Sequence, residues 1–157
     1  AQEPLDESAL ETLYTVFRAQ YQQAEQQGMA PFNGMATTLA QLKTRGNRLF
    51  VVSSKHSVAL KRNLDQLELG SFFEAVSGSD LVDHYKPAPD GILDLLTRFD
   101  LDPKTSLMIG DAKYDIQMGT NAGIATAGAM WGAADPDSVK AESPTYILAT
   151  PADLLTI

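Results

Sequence analysis

An α/β fold built on a parallel sheet is predicted by three features of this 157-residue sequence. Short apolar runs alternate with segments whose apolar residues recur every three or four positions, the pattern of strands interleaved with helices on both faces of a sheet. The runs are unbroken, as in Leu107-Met-Ile109, which suits strands covered on both faces. Each principal run also gives way at once to glycine or small polar residues, at the carboxyl strand ends where open α/β sheets place their ligands.

The elements follow in order. Residues 6–27 form the longest helical pattern, with Leu10, Leu13, Tyr14, Phe17 and Tyr21 on one face and a capping box from Ser8 and Glu11. Gln and Glu fill the other face. Gly28 closes the helix and Pro31-Phe-Asn-Gly34 is a turn, so residues 1–30 are expected to be an appendage and 31–157 the body. Residues 35–45 read as a helix with Leu39 and Leu42 inward, ending at Gly46, and residues 49–52 as a buried strand. Residues 58–67 are amphipathic through Leu60, Leu64 and Leu67 and stop near Gly70. Residues 72–76 lead into a second strand, and residues 89–99 form a helix with Pro89 in its first turn. After the Leu107 strand, residues 116–123 read as a helix stopped by Gly123. Residues 124–128 and 146–148 read as strands, and 151–155 as a last helical turn. Trp131 and Met130 are expected to pack or to line a loop.

Composition narrows the function. Hydrophobic residues make up 44% and charged residues 20%, an ordinary globular balance. A formal charge of −8 disfavours nucleic acid and anionic membranes as partners. With no cysteine there is no disulfide, thiolate metal site or cysteine nucleophile. No apolar stretch reaches the ~18 residues that span a bilayer, and a cytosolic protein is expected. No Ser/His/Asp order suggests a triad, and His56 and His84 read as surface or satisfied residues.

Three strand ends carry candidate chemistry. Asp111 and Asp115 flank a strand-to-helix turn at Gly110, and two close carboxylates suit a hard cation such as Mg²⁺; alternatively Asp111 caps the helix and Asp115 lies solvated in its first turn. Ser53, with the amides after it, forms a cradle for phosphate at a helix start, or is a plain N-cap. Lys55 points into that cradle or into solvent. Lys86, between Tyr85 and Pro87 in a proline-stiffened loop, is a fixed ammonium able to neutralise a phosphoryl group, or a solvated lysine.

The order of these signals resembles that of the haloacid dehalogenase superfamily. Ser53, then Lys86-Pro87, then Gly110-Asp111 with Asp115 is similar to the family's second, third and fourth motifs. Val51-Val-Ser-Ser-Lys55 resembles the version in phosphoglycolate phosphatase-like members, and Pro31-Phe-Asn-Gly-Met35 resembles the passage from cap to core. Lys86-Pro-Ala-Pro-Asp90 and the stretch from Met108 through Asn121-Ala-Gly123 extend the likeness, which runs from about residue 8. It implies a Rossmann-like core over residues 31–157, with residues 1–30 the C-terminal part of a helical cap. It further implies a Mg²⁺-dependent phosphatase of a small phosphorylated metabolite, such as 2-phosphoglycolate, working through an aspartyl-phosphate. Ser53 would bind a phosphoryl oxygen, Lys86 would neutralise phosphate and nucleophile, and Ser54 and Lys55 would sit beside the substrate. Asp111 would ligate Mg²⁺, with Asp115 as a further ligand or one step behind it.

One part of the pattern is missing. The family's first motif, Asp-x-Asp-Gly-Thr on a strand between those ending at Ser53 and Asp111, has no counterpart in these residues. The nucleophile is therefore expected outside the sequence, on an N-terminal segment, and the isolated piece is expected to be inactive, with two unpaired strand edges. Other chemistries of the superfamily (pyrophosphatase, nucleotidase, phosphomutase, dehalogenase) stay open, as does a non-catalytic binding protein or one half of a split protein.

Overall fold

A computed structural model describes residues 6–26 and 28–157. The chain divides into two compact units between Ala30 and Pro31, as the Pro31–Gly34 turn predicts. The first unit contains α1 (Glu7–Gln26). The Asp6 carboxylate, not Ser8, accepts the Ala9 N–H at 2.7 Å and caps this helix; an aspartate also offers its charge to the positive helix end. Ser8 lies within the first turn, where its carbonyl accepts the Thr12 hydroxyl. The predicted end at residue 27 lies outside the described residues. Leu10, Leu13, Tyr14 and Phe17, the apolar stripe, are exposed on this helix, and Phe17 and Tyr21 stack at 6.0 Å.

The second unit runs α2 (Met35–Thr44), β1 (Phe50–Val52), α3 (Ser57–Gln66), β2 (Ala75–Ser77), α4 (Asp90–Arg98), β3 (Leu107–Gly110), α5 (Lys113–Asn121), β4 (Ala125–Ala129), α6 (Pro136–Ala141) and β5 (Tyr146–Leu148). A final 3₁₀ turn, Pro151–Leu155, closes the chain. All strand pairs are parallel, as the alternating pattern requires. They form two sheets, β1–β2 and β3–β4–β5. Among the described residues no strand pairs with the other edge of β1 or of β3. The expectation that the Leu107 run is buried on both faces is therefore too strong: Ile109 is 37% exposed and Leu107 and Met108 are only half-buried.

Two departures are local. The turn after α3 is made by Glu68 at φ 56°, two residues before the predicted Gly70, which instead opens a 3₁₀ turn. Helix α6 has no counterpart in the sequence reading. Six residues are too few for a periodic signal, but its start was written in Asp135-Pro136: the Asp135 carboxylate accepts the Ser138 N–H, and proline fills the first helical position.

The core gathers Leu42, Ala127, Leu148 and Leu154, with Leu49, Leu107, Trp131 and Leu155 packed against them; Trp131 thus packs, as expected. Helix α5 buries Ile116 and Met118. It lies so near β3 and β4 that a Cβ on Gly119 would stand 2.6 Å from Thr126 Cγ2 and 2.8 Å from Met108 Cβ. At the amino ends of the strands Arg48 ties three segments together. Its guanidinium forms a fork with the Glu74 carboxylate (2.6 to 3.1 Å), donates to the Phe99 carbonyl at 2.9 Å and lies over the rings of Phe50 and Phe99.

The approach of α5 to its sheet is testable. Gly119→Ala should destabilise the protein by roughly 1–3 kcal/mol, the usual cost of overpacking, as a lowered urea midpoint. An unchanged midpoint would mean that α5 is not pressed against Met108 and Thr126.

Candidate functional site

Two polar strand ends meet at one lysine: Ser53 follows the carboxyl end of β1 and Asp111 that of β3. Lys86 joins them. Its ammonium donates to the Val52 carbonyl, one residue before Ser53, at 3.2 Å, and to Asp115 Oδ1 at 2.6 Å. Both side chains of this ion pair are largely buried, at 16% and 10% exposure. In so dry a setting each charge relies on the other, because an unpaired buried ion is costly.

Asp115 is bound on both oxygens. Its Oδ2 accepts the Ala112 N–H at 3.1 Å and so closes the start of α5. Gly110 is needed here for proximity rather than for a sharp turn. It is the last residue of β3, its φ is not positive, and a Cβ on it would fall onto the Asp115 side chain. Asp111 does not cap α5, since Ala112 holds that position. Its carboxyl, though open to solvent, is pushed above the usual carboxylate range, first by partial desolvation and then by the Asp115 charge, with Lys86 acting in the opposite sense. A divalent cation bound there would relieve that repulsion. The donor set of carboxylate oxygens fits Mg²⁺, which completes its shell with water and ligand oxygens. Among the described residues no group of three or more His, Asp or Glu gathers as a ready metal cage.

Ser53 is not a helix N-cap either. The cap of α3 is His56, whose Nδ1 accepts the Val58 N–H. Ser53 continues the β1–β2 pairing through its N–H to the Ser77 carbonyl, and its Oγ accepts the Lys55 N–H at 3.2 Å. A loop of successive backbone groups, 53 to 56, thus leads into the N-terminus of a ten-residue helix. Ser53, Ser54 and Lys86 line one cavity with Gly78, Tyr85 and Met118. Asp111 borders a second depression, with Tyr114 and Asp135. Lys55 turns away from the cradle; its ammonium donates to Asn63 Oδ1 on α3 at 2.8 Å.

Sequence reasoning missed the residues that hold these groups. Asp80 takes both the backbone N–H (2.6 Å) and the hydroxyl (2.7 Å) of Ser57, docking the start of α3, and the Ser57 hydroxyl chiefly holds its pKa low. Asp90 takes the backbone N–H of His84 at 3.0 Å and its ring nitrogen at 2.9 Å, pinning the loop before Lys86. A polar residue just beyond each strand end or loop was the available signal. Its partners, 23 and 6 residues away, were not readable.

Comparison with known proteins bears on the family and the fold. Residues 2–129 match the family model of the haloacid dehalogenase-like hydrolases. The chain is 34% identical over 142 residues to a phosphoglycolate phosphatase of Aquifex aeolicus, covering 90% of this chain and 65% of that protein. It is 31% identical over 145 residues to pyrophosphatase PpaX of Bacillus velezensis, covering 92% and 67%. The chain therefore spans about two thirds of the length of these curated relatives. In fold it is similar to a hydrolase of the haloacid dehalogenase-like family from Streptococcus pneumoniae (TM-score 0.83, 21% identity, covering 97% of this chain and 71% of that one). No helix among the described residues is long and apolar enough to cross a membrane.

The role of Asp80 has a definite pH signature. Its folded-state pKa lies below the ordinary 3.8, so its stabilisation is complete above that value and is lost as pH falls through the folded pKa. Asp80→Asn should lower the thermal midpoint near neutral pH, and the gap from the unmodified protein should close as pH falls from 3.8 through the lower folded pKa. A gap that persists in acid would assign the loss to something other than the carboxylate charge.

Proposed function

This chain belongs to the haloacid dehalogenase-like hydrolases, and on that premise we propose that the protein carrying it is a Mg²⁺-dependent phosphatase of a small phosphorylated metabolite. The observation that carries this reading is the position of the Lys86 ammonium, held between the strand end at Ser53 and the carboxylate of Asp115. An ammonium fixed there offers a charge to an incoming phosphoryl group without first having to order a flexible side chain.

The geometry supports the following roles. The Ser53 hydroxyl and the Ser54 N–H would bind phosphoryl oxygens, since the N–H groups of Lys55, Ser57 and Val58 are taken by Ser53, Asp80 and His56. Ser54 lies on the same cavity wall beside the substrate. Lys55 serves the loop through Asn63 and reaches substrate only by leaving that bond. Asp111 would hold Mg²⁺ directly, and Asp115, already engaged with Lys86 and Ala112, would reach it as a further ligand or through water. When bound, Mg²⁺ supplies neutralisation of charge on the transferring oxygens. The attacking carboxylate belongs on a strand between the open edges of β1 and β3, so that its carboxyl end emerges next to Lys86. It would attack phosphorus and displace the substrate's alcohol as the P–O ester bond breaks, and water would then cleave the aspartyl-phosphate to inorganic phosphate and the free carboxylate.

The Aquifex relative supports 2-phosphoglycolate as the first substrate to try, and the Bacillus relative supports pyrophosphate as the second. A non-catalytic protein, or half of a split one, would bind phosphate without turnover. The full-length protein should hydrolyse p-nitrophenyl phosphate with Mg²⁺ and not in excess chelator. Asp111→Asn should lower kcat/KM by roughly 10²- to 10³-fold, the scale of losing one electrostatic stabiliser. Chelator-resistant hydrolysis, or an active Asp111→Asn variant, would sink the metal assignment.

A further inference from the structure

Lys86 is held at two points by one helix. Its ammonium lies on Asp115 in the first turn of α5, and the carbonyl of the next residue, Pro87, accepts the Asn121 Nδ2–H at 2.9 Å from the last turn of that helix. Six residues at 1.5 Å each separate the two holding points by about 9 Å along the axis. The lysine side chain thus spans between two anchors on one rigid element. On its other flank the loop is pinned by Asp90 through His84. Met118, midway along α5, is buried and lines the cavity that Lys86 also lines.

We infer that Asn121 is the positioning residue for Lys86: its amide fixes the loop backbone so that the ammonium meets Asp115 and the phosphoryl site together. The inference rests on the phosphatase reading above. Asn121 is solvent-exposed, and an exposed amide–carbonyl bond adds little to global stability because water can replace it. Without it the loop keeps its Asp90 pin and loses the anchor nearest to the lysine. A lysine has four rotatable bonds with which to follow such a shift, and a displacement of order 1 Å is enough to cost about 10²-fold in rate.

The test is a double-mutant cycle in the full-length protein, with Asn121→Ala, Lys86→Met and the pair. Asn121→Ala should lower kcat roughly 10- to 100-fold, as losing a supporting partner does, with KM for p-nitrophenyl phosphate little changed and Tm within about 3 °C. Asn121→Asp, which keeps the shape but has no N–H to donate, should match it. Combined with Lys86→Met, the Asn121→Ala substitution should add nothing, since it acts only through the lysine. An additive loss, or a wild-type kcat, would overturn the inference. A crystal structure of Asn121→Ala decides independently of activity: the Pro87 backbone should shift away from α5 and carry the Lys86 ammonium about 1 Å from its present position, and an unmoved Pro87 and Lys86 overturn the inference. If the unmodified protein hydrolysed no phosphate ester with Mg²⁺, the phosphatase reading would fall, and that structure would still judge Asn121.

Discussion

The ion pair between Lys86 and Asp115 is the constraint to which the rest of the site answers. Two opposite charges, each mostly withdrawn from water, tolerate little separation. To make that contact the Lys86 loop must reach across the end of β1, and α5 must begin as soon as β3 ends. The side chain of residue 110 must also be absent, because Asp115 occupies its place. A strand exit, a loop and a helix start are thereby fixed together. Neither partner would hold its place alone.

The two carboxylates of that turn show how environment divides what spacing leaves equivalent. Asp115 spends its oxygens on Lys86 and on the Ala112 N–H, and so serves as scaffold. Among the described residues Asp111 has no such ion-pair contact, and Lys86 favours its ionised form only at a distance. Partial desolvation and the neighbouring negative charge outweigh that, which makes it the carboxylate with more to gain from a cation. Four residues apart in sequence, one is held by protein partners and the other is the proposed ligand.

Much of this was legible in the sequence, for identifiable reasons. Apolar spacing located α2 and α3 through Leu39, Leu42 and Leu60, whereas Pro89 marked the start of α4 and Gly123 the end of α5. The turn at Pro31–Gly34 marked the division of the chain. Ser53, Lys86, Asp111 and Asp115 could be singled out because their order along the chain resembles the family's motifs, although each alone had an ordinary reading as a cap or a solvated side chain. What was not legible depends on contacts between distant residues. Gly110 could be flagged but not explained, since its reason is the side chain of Asp115. The turn of Lys55 towards Asn63 and the grip of Asp80 on Ser57 are set by how α3 docks, which no local pattern encodes. The exposure of Ile109 likewise follows from the pairing of β3 on one side only.

Arg48 sits at the amino end of β1, and Ser53 at its carboxyl end. The guanidinium joins the start of both strands of one sheet to the end of α4 through a carboxylate, a carbonyl and two aromatic rings. Cohesion and reactivity are thereby assigned to opposite poles of the same short sheet. A scaffold divided in this way is forgiving to evolve: loops at the reactive pole can be exchanged for ones that admit new leaving groups, while the far pole keeps the strands in register.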